Sequence, residues 1–278
     1  MDSGFERTGT RHSAGRFRGP GGPAARTRGP ARGVSVPVPL GRVRWLAALG
    51  GLVAGLVAFG TGEATSQLIP PETVHLNVMG SRSTILSRST PRVVTRSGAL
   101  ASGILGACLG GCLGMAGGLA RRSASAAMIW GSVGSVLGLT LGAGLSFALF
   151  PSFCWARDNY QLHELIASIA LHGLIWVPLG AAAGLALALG LGKRQLCGRA
   201  LAAGLTGALL GAVAYDLIGA LLFPLARTAD PLAETSLNRL ISRLLVSLAT
   251  AFLVSLSLSE PRSGRPAPDP RLRRRHLR

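Results

Sequence analysis

The 278-residue sequence has little acid, few aromatic residues and almost no lysine. Asp and Glu together number 11, aromatic residues make up 5% of the chain, and Lys193 is the only lysine among 29 basic residues. The formal net charge is +18, but the arginines show no aromatic-interleaved or helical pattern of the kind that nucleic-acid-binding domains present. We therefore expect no nucleic-acid partner.

Cysteine is also scarce, with four residues in the whole chain. Cys108, Cys112, Cys154 and Cys197 do not have the spacing of a disulfide framework. Cys108 and Cys112 share one face of an apolar segment, an arrangement that a soft-metal or redox pair would need. No further thiol or imidazole occurs in that segment, so we interpret both as small apolar residues.

The motifs of soluble enzymes are missing. We find no phosphate-binding glycine loop after a strand, no paired-histidine zinc motif and no nucleophile elbow. A secretory signal peptide is not expected either, because the basic lead is too long and no small-residue cleavage site follows the first apolar run. We expect a protein that is not an enzyme and that holds no metal or cofactor.

Apolar residues are abundant in this sequence, and along the chain they are separated from most of the charged residues. Hydrophobic residues make up 48% and mean hydropathy is +0.42. Most arginines lie in residues 1–43, just after them, or in residues 259–278, and we expect both segments to be disordered basic tails. Residues 44–258 contain six segments of about 20 or more apolar residues, the length that crosses a bilayer. These predicted spans are 44–69, 98–120, 126–150, 162–192, 198–223 and 236–258.

Glycines recur at four-residue intervals inside these spans. In a soluble helix each would cost about 1 kcal/mol relative to alanine, whereas in lipid such a stripe lets two helices approach closely. We therefore predict an all-α transmembrane bundle of six helices with glycine-mediated packing. The glycines assigned to packing are Gly106, Gly110, Gly114, Gly118, Gly134, Gly138, Gly142, Gly180, Gly184, Gly207 and Gly211.

The distribution of arginine predicts the orientation of the chain. With the N-terminus in the cytoplasm, both tails and the short basic connections lie inside, and few arginines lie outside. We expect a multi-pass protein of the plasma membrane with both termini cytoplasmic and tails that meet anionic lipid headgroups. The long connection 70–97 then lies outside, and its alternating residues 73–79 favour a short strand.

Two spans match two others at a displacement of about 73 residues. Gly131, Gly134 and Gly138 recur as Gly204, Gly207 and Gly211, and the pair Phe150-Pro151 recurs as Phe223-Pro224. This similarity predicts a parallel internal repeat of helix hairpins. A third hairpin, formed by the sixth and first spans, would complete the pattern.

Few ionisable residues interrupt the spans, and those that do lie at similar depths. Glu63 and Asp216 each precede a proline at a span end by eight residues, which at ~1.5 Å per residue places both roughly 10 Å below the surface. We predict that they meet the other polar residues of the same half of the bundle in one polar cluster. The predicted cluster consists of Glu63, Glu164, Ser168, His172, Asp216, Arg239 and Arg243.

Two interpretations of this cluster stay open at this point. In the first, the protein moves or senses a small ion or polar solute there, since charge in hydrocarbon is costly and usually marks function. In the second, the chain is a structural or assembly subunit, Arg239 and Arg243 neutralise Glu63 and Asp216, and the glycine stripes bind a second copy or a partner's helices. Pro178 favours the first, because a proline frees a carbonyl that a cavity would hydrate.

Overall fold

The computed structural model describes seven segments of the chain, 39–66, 68–70, 72–78, 81–87, 90–160, 163–222 and 235–259. The predicted disordered tails, 1–43 and 259–278, lie outside these segments except for residues 39–43 and 259. Residues 40–43, expected to belong to the N-terminal tail, are helical as the start of the first helix; for the parts of both tails outside the described segments the expectation of disorder stays a prediction.

Six helices in the described segments are long and apolar enough to cross a membrane. They are α1 (Leu40–Ser66), α2 (Pro91–Ala120), α3 (Ala124–Asn159), α4 (Glu164–Gly190), α5 (Cys197–Leu222) and α6 (Ser236–Ser259). The shortest has 24 residues, above the ~20 that a bilayer core of about 30 Å requires. The predicted all-α bundle of six helices is confirmed.

A β-hairpin connects α1 to α2. Its strands, β1 (Glu72–Val78) and β2 (Ser81–Ser87), pair antiparallel with Glu72 opposite Ser87. The strand expected at 73–79 is thus present as β1. The sequence did not predict β2, because its serine-rich first half shows no apolar alternation.

Two helix boundaries differ from the sequence prediction by more than four residues. α2 begins at Pro91 and not at residue 98, since proline at the first helical position lacks only an N–H that would have no partner there. α3 continues through Pro151 to Asn159, although the proline predicted an end at residue 150. Phe150 is almost fully buried, and its ring lies against the backbone of Gly98 on α2, so tertiary packing outweighs the local signal.

Consecutive helices are neighbours, and α6 also packs along α1. α2 contacts α4 in addition to α1 and α3, which places α2 and α4 towards the inside of the bundle. α1, α3 and α5 finish at the end of the bundle where α2, α4 and α6 begin. We call this the hairpin end, because the β-hairpin joins α1 to α2 there.

The glycines assigned to packing lie at contacts between helices. A Cβ added to any of the eleven would meet backbone atoms of a neighbouring helix. On α2 and α3 the contacts are reciprocal: Gly106 faces the Gly138 carbonyl, and Gly110 faces the Gly134 carbonyl. The same relation joins Gly180 of α4 to the Gly204 carbonyl of α5. Two expectations stay predictions: that these glycines stabilise the bundle, and that the helix hairpins are an internal repeat.

Alanine substitutions on α3 test the packing role. The Cβ of Gly142→Ala would overlap the Ser102 carbonyl oxygen of α2, whereas that of Gly144→Ala would meet no atom within 4 Å. Overpacking typically costs about 1–3 kcal/mol, so we expect Gly142→Ala to lower the melting temperature in detergent by several degrees. Gly144→Ala, two residues along the same helix, should not lower it, because its methyl group meets no atom and alanine favours the helix. Equal melting temperatures for the two variants would refute glycine-mediated packing.

Candidate functional site

A deeply buried polar network joins α4 to α5. The carboxylate of Asp216 is 1% exposed and accepts a hydrogen bond from the Ser168 hydroxyl at 2.8 Å. The Nδ1 atom of His172 lies 3.0 Å from Oδ1 and 3.2 Å from Oδ2 of the same carboxylate. Ser168 and His172 stand four residues apart on α4, so one face of that helix supplies both partners.

Aromatic rings fix the orientation of His172. Its ring stacks on Trp176 with a centroid separation of 4.6 Å, and the edge of Tyr215 approaches it at 5.5 Å. A carboxylate at Nδ1 favours the tautomer in which Nδ1 carries the proton. Nε2 then remains available, since no hydrogen bond to it occurs among the described residues.

Ser168, His172 and Asp216 are the residue types of a hydrolytic triad, but their geometry differs from one. In a triad the carboxylate binds Nδ1 and the serine faces Nε2, which removes its proton. Here the Ser168 hydroxyl lies 3.3 Å from Nδ1 and donates to Asp216. The arrangement therefore holds the imidazole in place and does not activate the serine.

A second polar contact joins α1 to α6. Nε and one terminal nitrogen of Arg239 donate to the two carboxylate oxygens of Glu63 at 2.6 and 3.0 Å. This two-point ion pair is partly accessible, with side-chain exposures of 28% for Glu63 and 24% for Arg239. Two parallel hydrogen bonds of this kind make a strong and directional pair.

Arg243 lies one helical turn deeper and is only 6% exposed. One of its terminal nitrogens donates to the carbonyl oxygens of Ala58 and Phe59 on α1. These are its only hydrogen bonds among the described residues, and it forms no ion pair there. Gly62 makes room for it, because a Cβ at that position would overlap the guanidinium group.

A cavity of about 50 Å³ lies between these groups, near the hairpin end. α2 contributes small or apolar residues, α4 and α5 contribute the aromatic cluster, and α6 contributes arginines and a hydroxyl. The lining residues are Gly98, Ala101, Ser102, Leu105, His172, Trp176, Tyr215, Arg239, Ser242 and Arg243. The strongly charged side chains in this wall are arginines, and no carboxylate belongs to it among the described residues.

The structure brings together most of the predicted cluster but pairs its members differently. Arg239 neutralises Glu63, in agreement with one half of the ion-pair interpretation. Asp216 contacts His172 and Ser168, and not Arg243 as that interpretation required. The side chain of Glu164, the first residue of α4, lies outside the described part of the structure.

Sequence reasoning did not assign several cavity residues. Gly98 and Ser102 extend the α2 glycine stripe upstream by two steps of four residues, and that continuation was a signal that the stripe reaches the polar cluster. Trp176 stands four residues after His172, the spacing at which helical side chains meet. Pro178 does not interrupt α4, which is continuous from Glu164 to Gly190.

Metal ligands and reactive cysteines are not gathered in this region. Within the described segments no group of three or more His, Cys, Asp or Glu residues could hold a metal ion. Cys108 and Cys112 are free thiols, half-buried where α2 packs in the bundle.

The class of the protein follows from the helices: it is a multi-pass membrane protein. Comparison of the chain with protein-family models, with curated proteins and with solved structures gives no match. Any more specific function has to be argued from the site itself.

Charge reversal tests the pair between α1 and α6. Glu63→Arg leaves arginines facing each other, and Arg239→Glu leaves two carboxylates facing each other, so each single change should lower the melting temperature by several degrees. The double variant restores an opposite pair and should recover most of the loss, because the coupling of a partly buried pair is on the order of 1 kcal/mol or more. Additive losses in the double variant, measured by thermal unfolding in detergent, would show that the contact contributes nothing.

Proposed function

We propose that this multi-pass membrane protein moves or senses a small ion or polar solute through the site built by α1, α4, α5 and α6. The observation that carries the proposal is the cavity between Asp216–His172 and the two arginines of α6. It provides space for a solute beside buried groups that can bind or exchange charge.

Energetics support a functional role. Burying an ion pair costs desolvation that its attraction only partly offsets, and apolar replacements are often neutral or stabilising. A bundle selected only for stability would not need Asp216 and Arg243 at burial above nine-tenths without pairing them with each other. Ionisable residues kept inside a membrane bundle usually mark a pathway or a binding site.

His172 is the group that we propose exchanges a proton with the cavity. Asp216 binds Nδ1 and holds the ring in place, so Nε2 is the nitrogen that would take up or release the proton. The groups around the ring are Asp216 and Tyr215 on α5, Arg239 and Arg243 on α6, and Ser168 and Trp176 on α4 itself. α2 contributes no titratable residue to the cavity wall in the described segments.

The location of the protein is part of the proposal. The excess of arginine in the tails and short connections supports a plasma-membrane protein with both termini cytoplasmic. The cavity, near the hairpin end, would then open towards the outside. The basic tails would contact anionic lipid headgroups.

A structural or assembly role is the second candidate, and two observations favour it. The Glu63–Arg239 pair and the Arg243 bonds to α1 carbonyls both fasten α6 to α1. α3 also exposes large apolar side chains, among them Met128, Ile129, Val136 and Phe147, to lipid, a second copy or a partner. That the chain is not an enzyme stays our expectation, supported by the missing catalytic motifs.

Reconstitution tests the transport proposal. The full chain in proteoliposomes would be assayed for proton flux with an internal pH-sensitive dye and for solute flux by light scattering. Glu63→Ala, Asp216→Ala, the double variant and His172→Ala should each reduce the flux at least tenfold, because each removes a charge or the proton carrier. His163→Ala changes an exposed histidine of the same helical region and should transport normally.

Unchanged flux in the alanine variants would refute the proposed site. If the wild-type chain carries no flux with any gradient tested, yet Glu63→Ala lowers its abundance in the membrane, the structural role is the better account.

A further inference from the structure

We propose that the cavity binds a small monovalent anion, with Arg243 as its main charged contact. This inference rests on the proposed function and deepens it, because it names the class of solute that the same site takes. The observations that carry it are the charges of the cavity wall, the hydrogen bonds of Arg243 and the volume of the space.

The cavity wall offers positive charge and hydrogen-bond donors. Its arginines are Arg239 and Arg243, and the nearby carboxylates are already engaged: Glu63 by Arg239, and Asp216 by Ser168 and His172. A bound cation would find no carboxylate in this wall among the described residues. An anion would find a guanidinium group, and the Nε2 of His172 as a donor whenever that nitrogen is protonated.

Arg243 has hydrogen-bond donors that remain unused among the described residues. A guanidinium group has five N–H donors, of which only those on one terminal nitrogen are used, to Ala58 and Phe59. Its Nε and second terminal nitrogen meet no acceptor among the described residues, although the side chain is 94% buried (6% exposed). Glu63 acts on Arg243 only through space, because its carboxylate is bound to Arg239, so no carboxylate among the described residues contacts the buried guanidinium. Such burial is unfavourable, and a bound anion would supply a counter-ion in contact.

Volume and charge limit the anion. One water needs roughly 10–15 Å³ of such space, so about 50 Å³ accommodates a solute of a few heavy atoms, such as a halide, formate or acetate. Arg243, which no carboxylate contacts among the described residues, can compensate one negative charge. A doubly charged anion would bring a second charge out of water with no partner, so the site should favour monovalent ions.

Trp176 provides a direct reporter, because it lines the cavity and stacks on His172. In the full chain with Trp45→Phe, Trp130→Phe and Trp155→Phe, iodide would be titrated at constant pH and ionic strength, with gluconate as the large balancing anion. We expect saturable quenching of Trp176 fluorescence that chloride or formate reverses. Arg243→Gln should weaken the apparent iodide affinity at least tenfold, and Arg243→Lys should weaken it less.

Two further variants serve as a control and as a second test of the anion site. Arg96→Gln removes an exposed arginine of α2 near the hairpin end and should leave quenching unchanged. If Arg243→Gln does not fold, Ser102→Asp is the second test, because it places a carboxylate in the cavity wall and should abolish saturable quenching in a protein that still elutes as a folded species. Linear quenching of the wild-type reporter, or saturable quenching that neither substitution weakens, would overturn the proposal.

Flux and quenching measured on the same protein distinguish the anion site from the broader transport proposal. Proteoliposome flux that depends on Asp216 but responds only to cation gradients, without saturable iodide quenching, overturns the anion site and leaves the transport proposal standing. Saturable quenching that Arg243→Gln weakens, in a chain without flux, supports the anion site and overturns transport.

Discussion

Charge buried in an apolar bundle needs a partner within the protein, and that constraint organises the relation between α1, α4, α5 and α6. Asp216 receives hydrogen bonds from α4, Glu63 is held by Arg239, and Arg243 donates to the backbone of α1. Each contact crosses from one helix to another. In the half near the hairpin end, polar contacts therefore add to an apolar cluster in joining the helices, whereas mainly apolar packing holds the opposite half together.

Close approach of helix backbones makes these contacts geometrically feasible. The guanidinium of Arg243 lies over Gly62, where any side chain would occupy its place. Gly98 does the same for the ring of Phe150, beside the cavity. Small residues thus lie at two kinds of contact in this chain: where α2 and α3 approach closely, and where large side chains occupy space near the polar site.

The sequence predicted the helices well because their apolar length is a property of each segment alone. That Glu63, His172 and Asp216 lie in the same half of the bundle was also predictable, since depth along a helix follows from counting residues. The hydrogen-bond partners of these residues were not predictable. Whether Asp216 meets Arg243 or His172 depends on helix rotation and on which helices are neighbours, and a hydropathy pattern gives no information on either. The end of α3 predicted from Pro151 was wrong for a similar reason, because tertiary burial of Phe150 keeps the helix continuous past the proline.

Whether the ionisable side chains meet one another inside the bundle is tested most directly by determining the structure of the full chain in a lipid nanodisc. We expect side-chain density that joins Asp216 to His172 and Glu63 to Arg239, with Arg243 turned into the space between α2, α4 and α6. Glu63 and Asp216 facing acyl chains on separate flanks of the bundle would contradict that expectation.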